Sequence, residues 1–241
     1  MNKTKIEWCD STLNPVVGCT FNCTYCYARR LNNRFKYIED WNKPQFFSER
    51  LNQLKSKKSK NIFMNSMSDV ADWKDEWIHE VAKAIHDNPQ HNYLFLTKRP
   101  KIITVEKFYE ILKNDNVWIG VSATNAVDQE ARTLQLTEIK RTGRAKILGL
   151  NYHLFVSFEP LHGSISAPHM FPEWWQGIEW IIIGAETGNR KEKIVPKASW
   201  IEDIVLFSKN HNISLLYKNS MIPVVGEYYM RRELPKELIH E

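Results

Sequence analysis

Short apolar runs rich in β-branched and aromatic residues recur along the chain, at Leu13–Gly18, Ile62–Asn65, Tyr93–Thr97, Val117–Ser122, Leu154–Phe158, Trp180–Gly184 and Ser214–Tyr217. Between them lie segments with the spacing of amphipathic helices, at Glu76–Ile85, Val105–Leu112, Ala126–Lys140 and Trp200–Ser208. Ser199 followed by Glu202 has the form of a capping box opening the last of these. Runs that are apolar throughout predict strands buried on both faces, and their alternation with helices predicts βαβ units and a parallel sheet. The expected fold class is α/β, a partial or near-complete parallel (β/α) barrel of six to seven β/α units.

Each run ends in a polar cluster. These read Asn65-Ser66-Met67-Ser68-Asp69, Thr97-Lys98-Arg99, Ser122-Ala123-Thr124-Asn125, Ser157-Phe158-Glu159-Pro160, Ala185-Glu186-Thr187 and Lys218-Asn219. In parallel barrels the active site forms on the loops that follow the strands, so the clusters are expected to converge on one mouth. Singly, each also serves as a turn or a helix cap. Glu159 and Glu186 stand out, because a carboxylate buried at a strand end needs a partner or a ligand. Two further stretches read as loops. Leu161–Gly177, with His162, His169, Trp174 and Trp175, is a candidate roof for the mouth or packing for outer helices, and Thr187–Pro196 is a polar, mobile loop.

Length narrows the organisation: 241 residues fit a single barrel domain, with residues 1–12 as an N-terminal extension and 219–241 as a C-terminal tail. No apolar run approaches the ~18 residues of a membrane span, and the first residues lack the apolar core of a signal peptide. Net charge is +5, a mild excess that argues against a broad nucleic-acid-binding face. Its densest run, Lys55 to Lys60, reads as a solvated turn.

Cysteine usage changes the picture most. Three of four cysteines, Cys19, Cys23 and Cys26, fall in one C-x3-C-x2-C stretch. Such a group reads as a metal site rather than a secreted disulfide framework, and the cytoplasm is the expected location. Three thiolates can hold three irons of a [4Fe–4S] cube and leave the fourth iron open, whereas clusters usually take four cysteines. A closed zinc site with Cys9 as fourth ligand is the alternative, although Cys9 has no paired partner nearby. Cys9 alone reads as a small buried hydrophobe.

The cysteine motif together with the barrel pattern resembles the radical S-adenosylmethionine (SAM) enzymes. Lys5-Ile6-Glu7-Trp8, Asn14-Pro15-Val16-Val17-Gly18-Cys19, Cys26-Tyr27-Ala28, Asn65-Ser66-Met67-Ser68-Asp69, Leu96-Thr97-Lys98-Arg99-Pro100, Gly120-Val121-Ser122 and Ser157-Phe158-Glu159-Pro160 look like the phage Gp37/Gp68-type family. Ile183-Gly184-Ala185-Glu186 continues the likeness, while Lys218-Asn219-Ser220-Met221 stands where many members have Lys-Gln-Trp-Gly. Within that family the chain is most similar to the queuine lyases.

The resemblance implies a [4Fe–4S] cluster on Cys19, Cys23 and Cys26, SAM as cosubstrate, and a 5′-deoxyadenosyl radical. It further implies cleavage of the queuine C–N bond, releasing 7-aminomethyl-7-deazaguanine (preQ1) for queuosine salvage. Tyr25 matches the position that packs on adenine; Ser66, Ser68, Ser122, Thr124 and Asn125 are the other candidate SAM contacts. For a 7-deazaguanine substrate, Glu159 and Glu186 are the candidate acceptors of its N–H and NH2 edge, with Asp69 third. Asn65, Lys98 and Lys218 are candidate partners for the diol and amine, and Glu159, Glu186 and Lys218 are the candidate catalytic groups. A flavodoxin or ferredoxin is the implied electron donor. Modification or repair of a nucleobase within DNA or RNA is the second function considered.

Overall fold

The structure, a computed structural model, describes residues 2–141, 143–165, 175–188 and 190–240. Its centre is a curled sheet in the order β1-β2-β5-β6-β7-β8-β9-β10. The strands are β1 (Asn2–Lys3), β2 (Ser11–Thr12), β5 (Asn61–Phe63), β6 (Asn92–Thr97), β7 (Val117–Ser122), β8 (His153–Phe158), β9 (Ile178–Ile183) and β10 (Ser214–Tyr217). β1 pairs antiparallel to β2, and the seven from β2 onward are parallel, forming a half-barrel. A separate two-stranded antiparallel sheet joins β3 (Val16–Val17) to β4 (Gln45–Phe46).

Alternation along the strands divides the core into two layers, because successive side chains point to opposite faces. Phe63, Leu94, Trp118, Phe155, Trp180, Ile182 and Leu216 fill the concave side together with Trp8 and Leu238. Their sequence neighbours Ile62, Phe95, Val117, Val156, Ile181 and Leu215 face outward into the larger core beneath the helices. Gly120 occupies an inward position because a Cβ there would lie 2.6 Å from the Phe155 ring. Aromatic side chains thus plug the concave side, and open space is left at one end.

Helices α1 (Tyr27–Phe35), α2 (Asp75–His86), α3 (Val105–Leu112), α4 (Ala126–Arg141), α5 (Gly143–Ile147), α6 (Glu202–Asn210) and α7 (Ile222–Val225) make up the outer shell with several 3-10 turns. Helix α3 starts where the Thr104 hydroxyl accepts from the Lys107 N–H at 3.2 Å. Helix α6 corrects the expected capping box. Ser199 lies in a 3-10 turn, Ala198–Trp200, and Ile201 takes the N-cap without a side-chain bond.

One further expectation is corrected. Leu13–Gly18 does not form the barrel's first strand: Ser11–Thr12 pairs with β5, while Val16–Val17 leaves for the side sheet. Within the first twelve residues, Asn2–Lys3 and Ser11–Thr12 contribute the two strands at one end of the main sheet. Of the two readings offered for Leu161–Gly177, Trp175 follows the second, buried against Phe158 and Phe207 of the outer helix α6; His169 and Trp174 lie outside the described residues.

The C-terminal segment returns beneath the sheet. The Tyr217 N–H donates to the Arg231 carbonyl and the Glu233 N–H to the Leu215 carbonyl, at 2.8 and 3.1 Å, extending pairing along β10. The segment then passes the strand starts, where Trp180, Asn92 and Asn61 donate to the carbonyls of Glu233, Glu237 and Leu238. No helix among the described residues is long and apolar enough to cross a membrane.

Candidate functional site

A cavity of about 780 Å³ opens at the C-terminal ends of the parallel strands. Cys19, Cys23, Tyr25 and Cys26 line it, as do Asn65, Ser66, Ser68 and Asp69 after β5, and Lys98 after β6. Ser122, Glu159, Glu186 and Lys218 complete the set from the later strand ends. The polar clusters therefore converge as their position in the sequence implied. Thr124 and Asn125 do not line the cavity. Thr124 donates to Asp128, and the Asn125 side chain accepts from the Asp128 N–H at 3.0 Å, so both open α4.

The cysteine loop follows Gly18, which has φ +111°. A Cβ at Gly18 would lie 2.8 Å from the Pro44 Cα and 2.9 Å from the Trp41 carbonyl oxygen, so this close approach admits only glycine. All four cysteines are free and partly buried. The Phe21 N–H donates to the Cys19 sulfur at 3.4 Å, and the Arg29 N–H to the Cys26 sulfur at 3.3 Å, making Cys26 the N-cap of α1. Burial pushes the Cys19 thiol up to about 12 and also raises Cys23. Among the described residues, no three His, Cys, Asp or Glu side chains form a group that could hold a single metal ion.

A polar clamp holds this loop to the barrel. Thr20 bonds Asp72 through its N–H at 2.9 Å and its hydroxyl at 2.7 Å, and Arg99 donates to both Thr20 and Asp72. The Phe21 ring sits beneath the guanidinium groups of Arg99 and Arg132, at 5.8 and 5.6 Å. Thr20, Phe21 and Asp72 did not emerge from the sequence, since contacts between distant loops leave no local periodicity.

Several predicted residues are committed to the fold. The Asn65 amide bridges β5 to β6, donating to the Leu96 carbonyl at 2.6 Å and accepting from the Leu96 N–H at 3.0 Å. Asp69 accepts from the Thr97 hydroxyl at 2.6 Å and from the N–H groups of Ala71 and Lys98 at 3.0 Å. Asn14 accepts from the Ser66 hydroxyl and the Met67 N–H, and Ser68 accepts from the Trp73 indole at 3.1 Å. The Lys98 ammonium stands 5.7 Å from the Tyr25 ring centre and pairs with no carboxylate among the described residues.

Two ionised pairs occupy the other strand ends. The Lys218 ammonium donates to the Glu159 carboxylate beside Gly184. A Cβ on Gly184 would come within 2.9 Å of the Lys218 Cδ and 3.3 Å of the Glu159 Cγ, so glycine makes room for the pair. Glu186, its side chain only 4% exposed, receives Arg190 through Nε at 2.6 Å and through a terminal nitrogen at 2.8 Å. His162 Nε2 lies 3.0 Å from the same carboxylate. The Arg190 and His162 contacts hold the Glu186 carboxyl down at about 2 despite burial, so it is a carboxylate at any ordinary pH. His162 also packs edge-on against Tyr25, with ring centres 5.1 Å apart, joining the cysteine loop to the Glu186 cluster.

Cys9 stands apart from the other thiols. It packs beside the concave core with Trp8 and Phe63, and burial pushes it up to about 12. No curated protein matches this chain. Residues 3–232 match the family described as protein of unknown function (DUF5131), and the chain belongs to that family.

Proposed function

We propose that this protein is a radical SAM enzyme of the half-barrel type, acting on a free 7-deazaguanine base in the cytoplasm. Cleavage of the C–N bond of queuine, with release of preQ1, is the reaction we favour. One observation carries the reading: a single cavity is lined by three free cysteines and by the Glu159–Lys218 and Glu186 charges. That juxtaposition joins a metal-binding loop to acid–base groups.

The donor set suits a multi-iron cluster better than a single ion. A cube takes its ligand sulfurs on separate corners, and three cysteines on one cavity wall would serve three of them. Cys19 and Cys26 already accept backbone N–H donors, and Cys26 stands at a helix N-terminus, so sulfurs bound to a cluster would keep those donors. A closed four-cysteine zinc site has less support, because Cys9 lies in the core beside Trp8. When bound, the [4Fe–4S] cluster and SAM supply a hydrogen-abstracting radical. In this reading Tyr25, Ser66, Ser68 and Ser122, all on the cavity wall, would hold SAM, with the Lys98 ammonium beside the Tyr25 ring.

The chain's own acid–base groups handle protons. Lys218 can deliver a proton to a departing amine while Glu159 receives one from a substrate hydroxyl, and passage of that proton from Glu159 to Lys218 across their hydrogen bond restores the pair. Glu186, fixed by Arg190 and His162, supplies a stationary negative charge for the N–H edge of the base. Asn65 and Asp69 contribute by holding the strand ends rather than by touching substrate.

The deciding experiment is anaerobic reconstitution with iron and sulfide, followed by incubation with SAM, dithionite and a panel of deazaguanines. Formation of 5′-deoxyadenosine and preQ1 from queuine is the expected result. Deoxyadenosine without preQ1 would keep the enzyme class and remove the lyase, and a colourless protein holding one zinc would remove both.

A further inference from the structure

We propose that the cavity wall between α1 and the 3-10 turn Ser48–Lys55 is a subsite for a phosphate monoester, held by Arg50 with Arg30 nearer the rim. The cavity then accepts a 7-deazaguanine also as its nucleoside 5′-monophosphate. This rests on the reading that a deazaguanine occupies the cavity. Positive charge there is left over. Three acidic residues line the cavity, and each is already engaged. Glu159 receives Lys218, Glu186 receives Arg190, and Asp69 accepts from the Thr97 hydroxyl and the Lys98 N–H. Lys5, Arg30, Arg50 and Lys98 line the same space and join no ion pair among the described residues. Lys98 stands beside Tyr25 in the cysteine loop, so the surplus farthest from the cysteines is arginine.

Arg50 is held in place before any ligand arrives. Its Nη1 donates to the Asn14 carbonyl at 2.7 Å, and its guanidinium lies 4.1 Å from the Phe47 ring centre. A guanidinium stacked on a ring and anchored through one nitrogen keeps its remaining donors in a fixed plane. That is the fork which a phosphate takes in bidentate fashion. Tyr27, Tyr37 and Gln53 share the wall and carry no charge at neutral pH. Glu49, next to Arg50 in the chain, is exposed and forms no ion pair with it. The Arg30 guanidinium lies against Gly188, where an added Cβ would stand 3.6 Å from Nη2, and its side chain has no hydrogen-bond partner among the described residues.

Hydrogen bonds join this wall to the strand ends. Asn14, which receives Arg50, also accepts from the Ser66 hydroxyl at 3.1 Å, and the Tyr27 phenol donates to the Ser66 carbonyl at 2.9 Å. Burial first, and then the charge of Glu159, push that phenol up, so the wall runs from Arg50 through Tyr27 toward Glu159. A single ligand along it can meet the Glu159–Lys218 pair with its base and Arg50 with its phosphate. A polynucleotide needs a broader basic face than a net charge of +5 supplies. The subsite only binds: neither the glycosidic bond nor the phosphate ester changes.

The test is calorimetry on the full chain after reconstitution with iron and sulfide, with GMP and guanosine as probes. GMP is expected to bind at least about tenfold tighter, the scale of one charge-assisted contact, and to lose that advantage as salt rises. Arg50→Gln should erase the difference, and Arg50→Lys, which keeps the charge without the fork, should keep only part of it. Arg30→Gln, at an exposed position with no side-chain partner to lose, should reduce the difference at an unchanged melting temperature. Equal affinity for GMP and guanosine in the wild type would overturn the subsite, as would a GMP preference that survives Arg50→Gln. SAM affinity falling in Arg50→Gln as far as GMP affinity would overturn it in favour of the cosubstrate's carboxylate. A GMP preference in a chain that assembles no cluster would uphold the subsite and overturn the radical reading instead.

Discussion

Lys218 and Glu159 meet at the mouth of the half-barrel in space that exists only because residue 184 has no side chain. An ion pair that reaches from the end of β8 to the end of β10, across the end of β9 between them, is thus built by three positions rather than two. Replacing Gly184 with alanine should drive the Lys218 stem and the Glu159 carboxylate apart. Overpacking of this kind costs about 1–3 kcal/mol. Any deazaguanine-cleaving activity of Gly184→Ala should fall at least tenfold in kcat, as general acid–base contributions run to ~100-fold or more. Thermal unfolding beside steady-state kinetics separates the two effects.

The cysteine loop gives a second prediction. Because burial pushes Cys19 up to about 12 and raises Cys23, both thiols carry protons near neutral pH when no metal is bound. Iron must displace those protons, so cluster assembly should improve as pH rises from about 7 to 9. Calorimetry in buffers of different ionisation enthalpy would detect the release. Cys19→Ala, Cys23→Ala and Cys26→Ala should each lose the iron–sulfur absorbance, whereas Cys9→Ala should keep it.

Glu186 gives a third. Its folded-state carboxyl, held at about 2 by Arg190 and His162, lies below the ordinary carboxylate value of about 4.5. A depressed carboxyl contributes stability that is fully present above the unfolded value and lost as pH falls toward the folded one. The wild type should lose thermal stability between pH about 4.5 and 2, and Glu186→Gln should show a shallower loss in that window. A variant whose acid profile matches the wild type would contradict the clamp.

Asp69 separates holding the site from binding a substrate. Its oxygens take donors from Thr97, Lys98 and Ala71, all within the protein. Asp69→Asn should therefore lower the melting temperature, since a buried polar group left unmatched costs about 1–3 kcal/mol. KM for a deazaguanine should change little when measured well below that temperature. A large KM effect with unchanged stability would return Asp69 to the substrate.

Most strands were legible because continuous burial leaves continuous apolar runs. Val117–Ser122 and Ser214–Tyr217 were anticipated residue for residue, and β6 and β8 within one residue of their starts. The first strand was misplaced because a buried Val16-Val17 pair reads the same whether it joins the main sheet or the β3–β4 sheet. Apolar pattern reports burial, not the neighbour. The Ser199–Glu202 box failed for a related reason: the 3-10 turn shifts the helix start past the capping serine. Convergence of the cysteines with Glu159, Glu186 and Lys218 was readable from topology. The partners His162 and Arg190 were not, because both lie in loops whose path no periodicity dictates.

The segment at residues 231–240 ties the two margins of the half-barrel together, reaching from β10 to Asn61 and, through His240, to Asp10 at 2.9 Å. Partners separated by 230 residues in sequence meet at that seam. Such pairings close large loops before they return any stabilisation, which places this protein among slow folders of high contact order. The aromatic plug under the cavity stays unsealed until Leu238 arrives. The sheet's gap is closed by chain rather than by an eighth parallel strand, so the width of the cavity above it depends on how firmly that seam is fastened.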